Sequence, residues 1–246
     1  SGTYALTARR YFHEFESTHD DLVHVSVKNH MHGFDNEVAH LRKDVSFEKA
    51  NSGAMVADPL TLYDCCPTSD GASAVILVAD HLAHQFTDTP IWVKGSGAGS
   101  DKLALHDRPS LTQLRATQLA SQKAYSIANV QPNQIDLAEV HDCFTIAEVL
   151  ATEDLGFAGR GEGGRFARDG LGRRNEGDVT INASGGLKSK GHPLGATGTG
   201  QAVEVFKQLR HQVESTRQVR DAEVGLTHNV GGSGATCAVH IFGRER

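Results

Sequence analysis

The order of apolar segments in this chain predicts an α/β fold, layered around a mixed sheet. Three observations predict it. Short apolar runs bounded by Gly, Pro, Asn and Asp recur between longer stretches with helical spacing. One of them, Ala74-Val75-Ile76-Leu77-Val78, is unbroken, as a strand covered on both faces would be. The chain closes on two apolar runs separated by Gly231-Gly232-Ser233-Gly234, the pattern of an antiparallel hairpin. Strands alternating with helices make parallel pairs, and the final hairpin makes the sheet mixed.

Taken in order, residues 1–62 are polar and histidine-rich, with short helical stretches such as 20–29 and little alternation. They predict an irregular helical excursion. Residues 8–13 already read as mid-helix with no cap before them, so a preceding segment is expected. His13, His19, His24, His30, His32 and His40 match no zinc spacing and HExxH is absent, so no metal is predicted and these histidines are expected at the surface or in support. After the 74–78 strand, a second strand covers 91–94 behind Pro90. The following Gly95-Ser96-Gly97-Ala98-Gly99 reads as a turn, because Ser100 holds the last glycine position of GxGxxG. Ser110 is the expected cap of a helix with a stripe of Leu111, Leu114, Leu119, Ala120, Ala124 and Ile127. A turn at Gln131-Pro132-Asn133 leads to a strand over 135–140, then a helix over 145–155 with Ile146, Val149 and Leu150 on one face. The Gly/Arg-rich stretch 156–177 is predicted to be an exposed loop. A strand at 179–182, a glycine loop, a helix over about 199–212 and the hairpin 223–229 with 236–242 complete the chain.

With 246 residues, 39% of them hydrophobic, a sizeable core is within reach. Net charge is −6, Lys and Arg are dispersed, and only 6% of residues are aromatic, so a nucleic-acid partner is not expected. No apolar run approaches a membrane span and no signal-peptide pattern opens the chain. Cys65, Cys66, Cys143 and Cys237 form neither a CxxC pair nor a dense disulfide framework, which points to reduced thiols in the cytoplasm.

Chemistry collects in three segments, each at the end of a predicted strand, where open α/β sheets hold ligands. In the run 182–198, glycines flank His192 and Pro193 fixes the turn into a helix, which suits general-base work or oxyanion donation. The competing reading is a glycine turn with an incidental histidine. In His141-Asp142-Cys143-Phe144, a thiol near an imidazole has access to thiolate character, against the alternative that Cys143 is a small buried hydrophobe. In the run 229–235, consecutive glycines can aim bare N–H groups at a developing negative charge, against a plain hairpin turn.

In this order and spacing the three segments resemble the C-terminal half of the thiolase superfamily. Gly185 to Gly198 matches GGxxxxGHPxGATG. His141-Asp142-Cys143-Phe144 is similar to the HDCF box of sterol-carrier-protein-type and archaeal-type thiolases, and the Gly231-Gly232-Ser233 turn stands where other thiolases carry CxG. The run 66–74 resembles the stretch that re-enters the first thiolase half. The resemblance implies a thiolase-like layered α/β/α fold with an incomplete first half: a loop-domain-like excursion over 1–62, the end of the N-terminal half over 63–90, and the C-terminal half over 91–246.

It also implies roles. His192 would activate a nucleophilic cysteine, His141 would contribute to a first oxyanion hole, Cys143 would exchange the α-carbon proton, and the N–H near Gly232 would serve a second oxyanion hole. Ser184, Gly185, Gly186, Gly191 and Gly231 are the expected substrate- and CoA-facing positions. The substrate would be a coenzyme A thioester, with no separate cofactor. No segment matches the family's nucleophile, and neither Cys65, Cys66 nor Cys237 stands in its motif. The implied activity is therefore acyl-CoA C-acyl transfer completed by a missing segment or a nucleophile-bearing partner chain. The alternatives are a thiolase-like carbon–carbon lyase and a non-catalytic acyl-CoA-binding subunit. A homo-oligomer and a zinc-ribbon/OB-fold partner protein are further expectations from the resemblance.

Overall fold

The computed structural model describes residues 1–246. Helices α1 (Gly2–Glu14), α2 (His19–Phe34) and α3 (Phe47–Asn51) come first, then a two-stranded ribbon of β1 (Met55–Ala57) and β2 (Leu60–Thr61). The N-terminus of α2 is set by Asp21, whose carboxylate accepts the Thr18 N–H at 3.3 Å and the Ser17 hydroxyl at 2.8 Å. This helix is longer than its polar sequence predicts, and it is not peripheral. It runs between three later helices, α5 (Thr145–Asp154), α6 (Gly163–Arg168) and α7 (Gly186–Ser189), which buries His30 and His32 instead of leaving them at the surface. Its Lys28 is also buried and meets Glu148 at 2.9 Å.

Residues 66–79 form no strand; the isolated bridges Cys65–Phe144 and Thr68–His192 and hydrogen bonds at Cys66, Ser69 and Ser73 tie down the first half of this segment. The predicted strand 74–78 is thus unpaired, and Ile76 is 88% exposed. Its composition is that of a buried strand, yet no strand of this chain lies beside it.

The main sheet has five strands in the order β3-β7-β6-β4-β5, where β3 is Trp92–Ser100, β4 Leu137–Glu139, β5 Thr180–Ile181, β6 Val224–Gly231 and β7 Thr236–Gly243. Pairings β3/β7 and β7/β6 are antiparallel, while β6/β4 and β4/β5 are parallel, so the sheet is mixed as expected. The glycine run 95–99 is not a turn but the middle of β3. Its cause lies across the layer, in α4 (Arg115–Ala128), whose Ala116, Ala120, Ala124 and Ala128 form a row at i, i+4 spacing. A Cβ on Gly95, Gly97 or Gly99 would overlap the carbonyl oxygens of that row, so helix and strand approach to backbone contact. Helix α4 begins at Arg115 rather than at Ser110 because Asp154 provides the cap, accepting the Leu114 N–H at 2.7 Å and the Gln118 amide at 2.8 Å. Its buried face is accordingly alanine-rich, and Leu119 and Ile127 point outward.

Two faces of the sheet are covered. On one, α4 and α5 (Thr145–Asp154) pack on Ala138, Val140, Leu226, Val239 and Ile241. On the other, α8 (Thr197–Leu209) packs Val205 and Leu209 on Leu137. Each fully buried Leu, Ile or Val contributes about 1.5–3 kcal/mol. Every residue of α5 is buried, because helices cover it as well as the sheet. The stretch 156–177 contains a short helix, α6 (Gly163–Arg168), that buries Phe166 and Ala167, where an exposed loop was expected. Helix α7 (Gly186–Ser189) is one turn inside the glycine loop.

Candidate active site

Since β4, β5 and β6 run parallel, their C-terminal ends lie along one edge of the sheet. The three chemistry-bearing segments leave from that edge. After β4 come His141, Asp142 and Cys143. After β5 come Ser184 to His192, and after β6 the turn 231–234.

His192 is held at both ends of its residue. Its N–H donates to Ser69 Oγ at 3.3 Å, and Nδ1 lies 2.7 Å from Thr197 Oγ1. The single Thr197 hydroxyl hydrogen goes to the Pro193 carbonyl at 3.1 Å. Thr197 therefore accepts from Nδ1–H, which leaves Nε2 with its lone pair. Desolvation, followed by the Lys190 charge, lowers the His192 pKa from the ordinary histidine value and so disfavours the imidazolium. Gly191, at φ +111°, allows the approach to Ser69, whose Oγ would sit 2.5 Å from a Cβ.

The His141 ring stands perpendicular to the His192 ring at 5.0 Å between centroids. The backbone N–H of His141 donates to Nδ1 of His228 at 3.3 Å, so the His228 proton sits on Nε2, 3.0 Å from Thr117 Oγ1. Burial depresses both histidines to about 3, and both are neutral. His141 Nδ1 is buried without a partner.

Asp142 points back from the edge. Its carboxylate accepts N–H groups of Leu187 at 2.7 Å and Lys188 at 3.1 Å, and the Asn29 amide at 2.8 Å. Burial, and then Glu148 nearby, raises it to about 7. Through it the His141–Cys143 segment is bonded to the loop that carries His192. Cys143 is buried, and desolvation pushes its thiol up to about 12, opposed by a hydrogen bond with the Tyr4 phenol. Its carbonyl accepts the Cys66 N–H at 3.0 Å, and Tyr4 stacks on Phe144 at 4.8 Å.

The remaining predicted positions divide. Gly231 and Gly232 lie in the open turn, where Gly232, Ser233 and Gly234 all have positive φ. Ser184, Gly185 and Gly186 stand behind the site. The Ser184 hydroxyl donates to Glu139 at 2.5 Å, and a Cβ on Gly185 would lie 2.6 Å from Gly33 Cα of α2. A cavity of about 840 Å³ lies between residues 68–74 and α8; Lys190, Gly191 and Thr197 line it, whereas His192, His141, Cys143 and Gly232 do not. Volume and chemistry do not coincide, and the geometry of the edge is the better guide to the site. No group of three or more His, Cys, Asp or Glu is placed to hold a metal ion, and no helix is long and apolar enough to cross a membrane. Sequence reasoning missed Thr197, His228, Asp142 and Tyr4. Of these, Asp142 and Thr197 lay inside motifs already singled out, whereas His228 and Tyr4 did not.

Layers, strand order and this edge define a thiolase-like fold. Residues 97–244 match the thiolase C-terminal domain-like family, and the chain belongs to the thiolases. It is 51% identical over 98% of its length to an acetyl-CoA acetyltransferase of Methanothermobacter thermautotrophicus, spanning 62% of that protein. It is 40% identical over 99% of its length to the acetyl-CoA acetyltransferase of Methanocaldococcus jannaschii, spanning 63%. Among solved structures, one named Ltp2-ChsH2(DUF35) aldolase superposes with a TM-score of 0.87 at 25% identity, covering 99% of this chain and 63% of that one. The chain thus spans less than two thirds of the relatives that it matches.

Proposed function

We propose that this chain supplies the acid/base half of an acyl-CoA C-acyltransferase, catalysing Claisen condensation or thiolytic cleavage of a 3-ketoacyl-CoA with a cysteine nucleophile from outside these 246 residues. One observation carries the reading: Thr197 holds Nδ1 of His192, so that Nε2 is free at the edge where the His141 ring meets it at 5.0 Å. The 51% identity with an acetyl-CoA acetyltransferase supports it.

In this reading Nε2 of His192 takes the proton from the cysteine as the acyl thioester forms, then returns it to the leaving thiolate. His141, neutral, helps to hold the thioester oxygen as it gains charge, and the N–H groups at Gly232 do so for the second carbonyl. The Cys143 thiol, held protonated by burial, gives its proton to the enolate carbon in thiolysis. In condensation the direction reverses: Cys143 gives its proton to the departing coenzyme A thiolate and then, as a thiolate, takes the α-proton of the second thioester, while His192 keeps the nucleophile's proton until that cysteine leaves. Coenzyme A thioester is the substrate, and a partner chain of the zinc-ribbon/OB-fold kind, or a second copy, would complete the assembly. The aldolase neighbour favours a second reading, carbon–carbon cleavage of a 3-hydroxyacyl-CoA without an acyl-cysteine.

The test is the chain in the assembly with which it purifies, mixed with acetoacetyl-CoA and coenzyme A, quenched and weighed intact. Turnover that iodoacetamide abolishes, with an acetyl group on a cysteine outside this chain's four, supports acyl transfer. A retro-aldol product with no trapped acyl group would favour the lyase. Binding without turnover of either kind would leave a carrier subunit.

A further inference from the structure

The turn that ends β6 closes on one backbone hydrogen bond of its own, from the Ala235 N–H to the Gly232 carbonyl at 3.1 Å, and the Ser233 carbonyl has its partner outside the turn. Gly232 (φ 57°), Ser233 (φ 52°) and Gly234 (φ 97°) follow one another in the left-handed region. Ser233 bears a Cβ there, which crowds the following carbonyl oxygen. Such a run persists where neighbours determine it. Arg108 is that neighbour. Its guanidinium donates Nη1–H to the Ser233 carbonyl at 2.8 Å and Nη2–H to the Gly232 carbonyl at 3.4 Å. The same group donates Nε–H to Lys102 O at 2.7 Å and Nη2–H to Leu103 O at 3.2 Å. One planar fork therefore sews the 102–108 segment to the turn through four carbonyls, a geometry that a lysine ammonium cannot reproduce. The fit is close on both sides. A Cβ on Gly234 would lie 3.1 Å from Arg108 Nη1, and one on Gly232 3.1 Å from Leu103 Cδ1.

The consequence concerns direction. Both peptides, 232–233 and 233–234, are trans, so each N–H points opposite to its carbonyl. With both carbonyls drawn to Arg108, the N–H groups of Ser233 and Gly234 are turned away from it. We infer that Arg108 is a positioning residue: it aims the backbone N–H donors of the 232–234 turn by gripping the carbonyls on their far side. This rests on the acyl-transfer reading above for its catalytic meaning, but the grip itself does not. Because Arg108 makes no demand on substrate, its loss should act on the transition state, where oxyanion charge is greatest, more than on binding.

The experiment has two independent arms on the intact assembly. In the first, amide hydrogen exchange over 231–235 is compared between wild type and Arg108→Ala. Faster exchange confined to that segment and 102–108 is expected, and unchanged exchange overturns the inference whatever the activity. In the second, kcat is expected to fall on the order of 10- to 100-fold, less than for outright removal of an oxyanion donor, with KM nearly unmoved. Guanidinium at low millimolar concentration should restore part of the turnover of Arg108→Ala, whereas sodium chloride should not. Full activity in Arg108→Lys would mean that charge alone suffices, and would overturn the positioning role. Arg165→Ala, at an exposed pair with Asp169, is the unaffected control. If wild type itself cleaves no 3-ketoacyl-CoA, the acyl-transfer reading falls, while the exchange arm still decides whether Arg108 holds the turn.

Discussion

At Thr197 the one hydroxyl hydrogen is already committed to the Pro193 carbonyl, so the threonine can only accept from His192, and the tautomer of the imidazole follows. Thr197→Val removes that acceptor at nearly constant shape. We expect kcat to drop about tenfold or more, within the range for general-base catalysis, and steady-state kinetics will measure it. A wild-type rate would mean that Nδ1 needs no anchor. The pH dependence is set by a second neighbour. The Lys190 charge disfavours the imidazolium and so lowers the His192 pKa, second to desolvation. Removing the charge in Lys190→Gln should raise that pKa, moving the acid limb of the kcat/KM profile to higher pH. A limb that stays put, or moves down, refutes the assignment of His192 as the base. His228 makes the opposite kind of prediction, about stability. It stays neutral in the fold down to about 3, while the unfolded chain protonates near the ordinary 6.5. Between those values the unfolded state binds the extra proton, so stability falls as pH falls, by up to about 1.4 kcal/mol per pH unit. The penalty of His228→Gln should therefore be largest near pH 8 and shrink toward pH 4, as urea unfolding at each pH will read. A penalty independent of pH would show that the histidine is not neutral for the reason given.

Among the elements, those with local causes were legible and those with distant causes were not. The hairpin β6–β7 and the strand-to-helix step β4–α5 announce themselves through alternation and through the turn residues between them. The glycines of β3 look like a turn because the reason for them, the alanine row of α4, lies some 20 residues further on. The start of α4 was misplaced for a similar reason: its cap is Asp154, not a neighbouring serine. Likewise α2 reads as a polar excursion because nothing in its own residues reveals that Lys28 will find Glu148. The site divides in the same way. His141, Cys143 and His192 were visible in their motifs, and Thr197 lies five residues past His192 in the same one, whereas His228 becomes meaningful only once β4 and β6 share an edge. Gly97→Ala tests the close approach directly. Its Cβ would overlap the Ala120 carbonyl, an obstruction of backbone and not of a flexible side chain, so α4 must shift as a body. A loss of about 3 kcal/mol is expected, at the upper end for overpacking, with an unchanged urea m-value. Stability within about 0.5 kcal/mol of wild type would mean that α4 yields freely and that the glycines have another purpose.

For the molecule as a whole, the segment 74–78 is the point of tension. Val75, Ile76, Leu77 and Val78 are all exposed, Ile76 at 88% and Leu77 at 76%, in a stretch that pairs with no strand. Extended backbone with unpaired N–H and C=O groups and an apolar surface is a template for another chain. The same segment is not idle in the fold. A few residues earlier it bridges His192 through Thr68 and binds the His192 N–H through Ser69, so whatever covers 74–78 also steadies the base. Two measurements follow from one substitution. For the 246-residue chain alone, light scattering should show self-association that Ile76→Lys suppresses, since a charge on this strand penalises edge pairing. In the assembly the same substitution should weaken association and lower turnover together, because the cover and the His192 support share one segment. A chain that is monomeric at high concentration, with Ile76→Lys silent in both settings, would show that the apolar run is indifferent to cover. Loss of association without loss of turnover would separate the edge from the site and leave Ser69 as sufficient support for His192.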